Sequence, residues 1–96
     1  MELWESIGLA KLPAMVAPEQ CRAARGLLAW SQQELADKAR VGVVTVHQLE
    51  AGTGQPRKAT LEVIRRAFEA AGVEFIEENG GGPGVRLRKR QRPKKT

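Results

Sequence analysis

A short stretch in the middle of the chain carries side chains suited to contacting bases. In the helix predicted over residues 43–51, Val46 and Leu49 lie three residues apart and are expected to face inward. The outer and leading surface then carries Val43, Val44, Thr45, His47 and Gln48. In a DNA major groove, glutamine can form two hydrogen bonds with adenine, and histidine can donate or accept a hydrogen bond. The methyl groups of valine and threonine can contact thymine methyl groups. The alternative is that Val43 and Val44 are core or dimer contacts.

Catalysis is poorly supported by the residue types. One histidine, one cysteine and scattered carboxylates form neither a nucleophile–base pair nor a metal cluster at a recognised spacing. His47 would have no orienting partner as a base. The glycine-rich segment 80–84 lacks the GxxxxGK[ST] order of a phosphate-binding loop and a following helix. We therefore expect no catalytic residue, no metal, no cofactor and no enzymatic activity.

Two short helical patterns over residues 31–52 would position this surface. Ser31 is followed three residues later by Glu34, a spacing that predicts a capped helix start. Gly52 predicts the end of the second helix. The break at residues 40–42 is too short for a gentle reversal, so the second helix must leave at a steep angle. The pattern predicts a helix-turn-helix.

This chain resembles the lambda-repressor-like, or Xre, helix-turn-helix family over residues 18–71. The resemblance rests on Arg25, the run Trp30 to Ala36, Val41, Thr45 and Val46, Glu50 to Gly52, and Pro56. It implies a mainly α fold, a compact helical bundle, with positions 43, 44, 47 and 48 reading bases and Gln32 contacting phosphate. Arg40 stands where the family usually has glycine. We therefore expect Arg40 to be left-handed, which costs a non-glycine residue about 1 kcal/mol or more.

The first helix, predicted over residues 18–29, carries an arginine on or beside its inner face. Cys21 lies on the same apolar side and is expected to be a small core residue. Burial of the Arg25 charge there would cost free energy unless the charge were paired. The resemblance implies that its partner is Glu50, at the end of the second motif helix. We expect a partly buried ion pair between the two residues.

Downstream, the pattern predicts one more helix and a hairpin. Thr60 is expected to cap a helix that runs to Ala71, with Leu61, Ile64 and Phe68 inward. Two strands, 73–77 and 85–88, should form a C-terminal β-hairpin with a long loop.

An isolated hairpin is marginal in water, so this one must pack on the helices or pair with another chain's edge. Pairing across a dimer is one interpretation. Glu74 or Glu77 could oppose Arg86 or Arg88 across the two strands.

The net charge of +5 is unevenly distributed. Through Gly80 there are nine basic and eleven acidic residues, whereas residues 85–96 contain seven basic and no acidic residues. Such an arm is either a nucleic-acid contact or a solubilising end, and the helix-turn-helix favours nucleic acid. The candidate phosphate contacts are Gln32, Arg57, Lys58, Arg86, Arg88, Lys89, Arg90, Arg92, Lys94 and Lys95.

We divide the 96 residues into a 1–17 extension, an 18–72 DNA-binding domain, a 73–88 hairpin that could dimerise, and an 89–96 basic tail. The extension is either a frayed leader or, through apolar residues such as Trp4, a dimer contact or lid. A lone cysteine and the lack of a signal peptide or an 18-residue apolar stretch predict a cytoplasmic protein with no membrane partner.

The leading hypothesis is a transcriptional regulator that binds double-stranded DNA sequence-specifically, as a homodimer on a two-fold operator. An alternative is an antitoxin, or another module that binds a protein partner and also represses its own operon. The extension is its only candidate for toxin binding. A third is a structural nucleic-acid protein that binds without sequence preference.

Overall fold

Six elements are formed by the residues that the computed structural model describes, which are 16–77 and 80–88. They are α1 (Pro18–Leu28), α2 (Gln32–Ala39), α3 (Val43–Ala51), α4 (Lys58–Ala70), β1 (Val73–Ile76) and β2 (Gly84–Leu87). The expected mainly α fold, a compact bundle with a helix-turn-helix and a C-terminal β-hairpin, is confirmed. None of these four helices has the length and apolar character needed to cross a bilayer.

The start of α2 is set by the predicted side-chain cap. The Ser31 hydroxyl accepts a hydrogen bond from the Glu34 N–H at 3.0 Å, and the Glu34 carboxylate accepts one from the Ser31 N–H at 2.7 Å. Both bonds satisfy backbone donors that a helix start leaves exposed. The predicted start of this helix is confirmed.

Three helices end in the same way, with one residue in the left-handed conformation. The φ angles are 58° at Ala29, 59° at Arg40 and 76° at Gly52. In each case the next residue donates its N–H at 3.0 Å to the carbonyl oxygen five positions earlier, which closes a Schellman motif. Only the third position is glycine. The expected left-handed conformation of Arg40 is confirmed.

The start of α4 differs from the prediction. The N-cap is Arg57, whose side chain makes no capping bond, and Thr60 lies within the first turn. The expectation that Thr60 caps this helix is therefore wrong. The helix gains its stability from packing rather than from a cap, because Leu61, Ile64 and Phe68 are all buried as predicted.

The core is mostly aliphatic, with one short run of ring contacts. Phe68 is fully buried, and its ring centroid lies 5.7 Å from that of Trp30 and 6.1 Å from that of Phe75. Val16 is also buried, although it precedes α1 and belongs to the segment assigned to the extension. Cys21 is a fully buried core residue, as predicted.

The hairpin packs on the helices of its own chain, which is the first of the two supports expected for it. The strands β1 and β2 are antiparallel, with Val73 opposite Leu87 and Phe75 opposite Val85. β1 lies against α4, and β2 lies against α1. The Gln20 side-chain amide donates to the Gly84 carbonyl oxygen at 3.1 Å, which ties β2 to the start of α1.

Candidate nucleic-acid interface

The outer face of α3 consists of Val43, Val44, Thr45, His47 and Gln48, the five predicted base-reading residues. Val44 is 63% exposed and Val43 36%, so neither belongs to the core. His47 and Gln48 are exposed, and Thr45 is half-buried. The structure thus brings all five to one side of the helix, opposite the buried Val46 and Leu49. Their base-reading role stays a prediction.

This surface contains no group that would repel DNA. The only charged residue of α3 is Glu50, which is buried on the opposite side. The N-cap, Gly42, adds no side-chain cap, so its first turn presents backbone N–H groups and the positive end of the helix dipole. A phosphate can therefore approach the leading end of α3 without meeting a carboxylate.

The inner side of α3 is held by the ion pair that the sequence led us to expect. The Arg25 guanidinium donates to the two Glu50 carboxylate oxygens, from Nε at 2.6 Å and from Nη2 at 2.8 Å. This two-bonded geometry is the strongest form of an arginine–carboxylate contact. Nη1 of Arg25 also donates to the Trp30 carbonyl oxygen at 2.9 Å, which fixes the guanidinium to the end of α1.

Two further side chains complete what we call the Glu50 hub, which consists of Glu50, Arg25, Gln32 and Cys21. The Gln32 amide donates to Oε1 of Glu50 at 3.0 Å, and the Cys21 thiol donates to Oε2 at 3.1 Å. The hub therefore joins α1, α2 and α3. Nearby, Arg22 donates to the Glu50 backbone carbonyl oxygen and so caps the end of α3.

The hub shifts the protonation of its members. Burial alone would raise the pKa of the Glu50 carboxyl, but hydrogen bonds from Arg25, Gln32 and Cys21 outweigh it and lower the pKa below its usual value. The hydrogen bond to Glu50 also raises the pKa of Arg25. Burial, reinforced by the neighbouring carboxylate, raises the pKa of the Cys21 thiol far above its usual range. This thiol stays protonated and unreactive at neutral pH.

Sequence reasoning identified the ion pair but missed Cys21 and Gln32 as members of the hub. Cys21 precedes Arg25 by four residues, so both lie on the same face of α1. That spacing was the one available signal for the thiol. Gln32, predicted to contact phosphate, uses one amide N–H on Glu50, which leaves its second N–H for any other partner.

Arg57 and Lys58, two of the predicted phosphate contacts, are exposed at the start of α4. A polar cleft of about 300 Å³ joins that end of α4 to the outer face of α3, and it is lined by Thr45, Gln48, Gln55, Pro56, Arg57 and Thr60. The structure thus brings a candidate phosphate contact beside a candidate base reader.

The cations of the hairpin are engaged within the protein. Arg86 pairs with Glu74 at 2.7 Å, one of the pairings expected across the strands. Arg88 donates to the Glu69 backbone carbonyl oxygen at 3.2 Å. Five other predicted phosphate contacts lie outside the described residues: Lys89, Arg90, Arg92, Lys94 and Lys95. Within residues 16–77 and 80–88, no group of side chains is arranged to hold a metal ion.

Comparison with known proteins identifies the family. A family model described as helix-turn-helix matches residues 22–75, more than half of the chain, from α1 through β1. No curated protein matches the chain. The matched segment contains the whole α2–turn–α3 motif, the Glu50 hub except Cys21, and the cleft beside α4. The chain belongs to the lambda-repressor-like, or Xre, helix-turn-helix family of DNA-binding regulators.

Proposed function

We propose that this chain is a sequence-specific transcriptional regulator in which the outer face of α3 reads bases in the major groove. The observation that carries the proposal is the division of α3 into two sides. The outer side exposes Val44, His47 and Gln48 without a carboxylate, while the inner side is fastened by the Glu50 hub. A rigidly held helix with short polar and apolar side chains suits direct readout.

Phosphate contacts would flank this face. Arg57 and Lys58 are exposed at the start of α4, next to Gln48, and the second amide N–H of Gln32 is available on α2. The basic tail would add affinity without sequence information. Arg86 already bonds to Glu74 and Arg88 to the Glu69 carbonyl oxygen, so we assign the phosphate contacts to the other five of the seven cations. Removal of residues 89–96 should then reduce the logarithmic salt slope by about 4 to 5.

We further propose a homodimer on a two-fold operator, with half-sites about one helical turn apart. Three exposed apolar side chains outside α3 are candidates for the contact: Leu27 at 42%, Val63 at 37% and Leu87 at 47%. Leu27 and Leu87 lie on α1 and β2, which pack against each other, so a dimer contact there would involve the hairpin as well. A DNA partner would place the protein in the cytoplasm.

Selection of bound genomic fragments tests the proposal. The purified full-length protein is mixed with fragmented DNA at near-physiological salt, and the strongest fragment is footprinted. We expect a palindromic motif with two short half-sites, bound roughly 10³-fold or more tighter than random DNA. Fragments without a shared motif would contradict base reading and would favour a nonspecific binder.

The antitoxin alternative depends on the N-terminal extension. Residues 1–15 lie outside the described residues, and Val16 is buried in the core. Removal of residues 1–15 should leave operator binding intact if the extension serves only a protein partner. A loss of two-fold binding on this truncation would instead assign the extension to the dimer contact.

A further inference from the structure

The connector between α3 and α4, residues 52–57, is bonded to the last turn of α3. The Thr53 N–H donates to the Gln48 carbonyl oxygen at 3.0 Å, and the Thr53 hydroxyl donates to the same oxygen at 3.5 Å. Both bonds end on the backbone of the residue that is proposed to read adenine. The connector is therefore fixed relative to Gln48.

Gly54 is the connector residue that lies beside the Gln48 side chain. A Cβ atom at residue 54 would lie 3.6 Å from Oε1 of Gln48 and 3.9 Å from its Cβ and Cδ atoms. A side chain there would thus lie against most of the length of the glutamine. Within the segments that the structure describes, the Gln48 amide makes no hydrogen bond, so packing rather than hydrogen bonding positions it.

The lack of a side chain at residue 54 leaves space beside the amide of Gln48. At these distances an added Cβ would make ordinary van der Waals contact, whereas the further atoms of a longer side chain would compete with the amide for the same space. Two hydrogen bonds to adenine require a defined amide orientation, because a hydrogen bond weakens steeply as it departs from linearity. Residue 54 therefore limits the orientations that the amide can adopt.

We infer that Gly54 is a positioning residue for base recognition: because it has no side chain, the Gln48 amide can take the orientation that pairs with adenine. The inference rests on the proposed function, since it requires Gln48 to read a base. Gly54 needs no contact with DNA and acts through Gln48. Specificity then depends on the connector as well as on α3.

A second glycine of the connector provides a matched control. Gly52 and Gly54 have φ angles of 76° and 74°, but a Cβ atom at residue 52 would meet nothing within 4 Å. Asparagine tolerates this left-handed region better than most residues with a side chain, so Gly52→Asn and Gly54→Asn should have similar backbone costs. Only Gly54→Asn places a side chain beside Gln48.

The ratio of operator to random-DNA affinity is measured for the full-length wild type and for both variants. We expect Gly54→Asn to lower this ratio by about 3- to 10-fold, which corresponds to the loss of one of the two hydrogen bonds to adenine. Gly52→Asn should leave the ratio within about 2-fold of the wild type. Similar reductions by both variants, or no reduction by Gly54→Asn, would overturn the inference.

The same substitution in the Gln48→Ala chain tests whether Gly54 acts through the amide. Gly54→Asn should lower the ratio no further there, because no amide remains to be positioned. A reduction as large as in the wild-type chain would overturn the inference, since the asparagine would then act on DNA or on the backbone. If Gln48→Ala alone leaves the ratio unchanged, base reading by Gln48 fails, and this inference fails with it.

Nuclear magnetic resonance of the free protein provides a readout that needs no DNA. The side-chain amide signals of Gln48 are identified by their loss in Gln48→Ala. We expect Gly54→Asn to shift these signals and Gly52→Asn to leave them in place, because only residue 54 lies beside the amide. Equal shifts, or no shift with Gly54→Asn, would contradict the positioning of the amide by residue 54, whatever the result with DNA.

Discussion

The two sides of α3 differ in how their polar groups are satisfied. On the inner side, the Glu50 carboxylate receives hydrogen bonds from Arg25, Gln32 and Cys21. On the outer side, and within the described part of the chain, the side chains of His47 and Gln48 make no hydrogen bond and remain exposed. Unengaged polar groups are the ones available to a partner.

This difference separates stability from binding within one helix of nine residues. The hub fixes the rotation of α3 about its axis, and that rotation decides which side chains point outward. Substitutions on the inner side should therefore change the free energy of unfolding, whereas those on the outer side should change affinity for DNA.

Replacement of the hub carboxylate should have the largest effect. Glu50→Ala removes the acceptor of four hydrogen bonds from three side chains and leaves Arg25, whose side chain is only 21% exposed, without its partner. We expect the free energy of unfolding to fall by about 3–5 kcal/mol in urea titrations. Glu62→Ala, at an exposed position on α4, is the control and should change it by less than about 0.5 kcal/mol. A result for Glu50 as small as this control would mean that the hub does not stabilise the fold.

Replacement of the outer glutamine should affect binding alone. Gln48→Ala is expected to weaken binding to the selected operator by about 1–3 kcal/mol and binding to random DNA very little. The free energy of unfolding should stay within about 0.5 kcal/mol of the wild type, because Gln48 is exposed. Equal losses on both DNAs would contradict base reading.

A second glutamine provides the reverse control. Gln20 is buried, accepts from the Ala17 N–H at 3.0 Å and donates to the Gly84 carbonyl oxygen at 3.1 Å. Gln20→Ala should reduce the free energy of unfolding by about 1–2 kcal/mol, because it removes two partly buried hydrogen bonds between the side chain and the backbone. The ratio of operator to random-DNA affinity should remain that of the wild type.

The turn between α2 and α3 belongs to neither side of α3. A substitution there should change the free energy of unfolding through backbone strain. Arg40 has a φ angle of 59°, which strains any residue with a Cβ atom. Arg40→Gly should raise the free energy of unfolding by about 1 kcal/mol, as judged by denaturant midpoints. Arg40→Ala removes the same charge but keeps the strain, so a similar gain from alanine would show that backbone conformation is not the cause.

Protonation of Glu50 should destabilise the fold only in acid and not at neutral pH. The folded protein holds the pKa of Glu50 below the ordinary value of 4.5, mainly through hydrogen bonds that outweigh burial. The stabilisation is therefore complete above pH 4.5 and is lost as the pH falls through the lower folded value. The stability difference between the wild type and Glu50→Gln should be constant above pH 4.5 and should shrink below it. A difference that stays constant below pH 4.5 would exclude Glu50 as the titrating group.

Local signals made the helix-turn-helix predictable from sequence. The Ser31–Glu34 cap and Gly52 each act within a few residues, so α2 and α3 were placed well. The start of α4 was predicted wrongly, because Arg57 forms its N-cap without a side-chain bond and packing determines where the helix begins. A rule based on capping side chains cannot find such a start.

The site could be predicted from the sequence only where a single residue required a particular kind of partner. Arg25 on an inner face required a partner, and the resemblance pointed to Glu50. The spacing of Cys21 and Arg25 places both on one face of α1, but the bonds from Cys21 and Gln32 also depend on how α1 and α2 cross the end of α3, which the spacing does not determine. The anchoring of Arg88 at the end of α4 depends in the same way on where the hairpin packs.

The bond between Gln20 and Gly84 has a consequence for the order in which the protein folds. It joins residues 64 positions apart, whereas the Arg25–Glu50 contact spans 25 positions. Longer closures cost more chain entropy and form more slowly. During synthesis the first helix is made before the strand that covers part of it. We therefore expect the pairing of Arg25 with Glu50 to hold the first helix in place until the hairpin arrives.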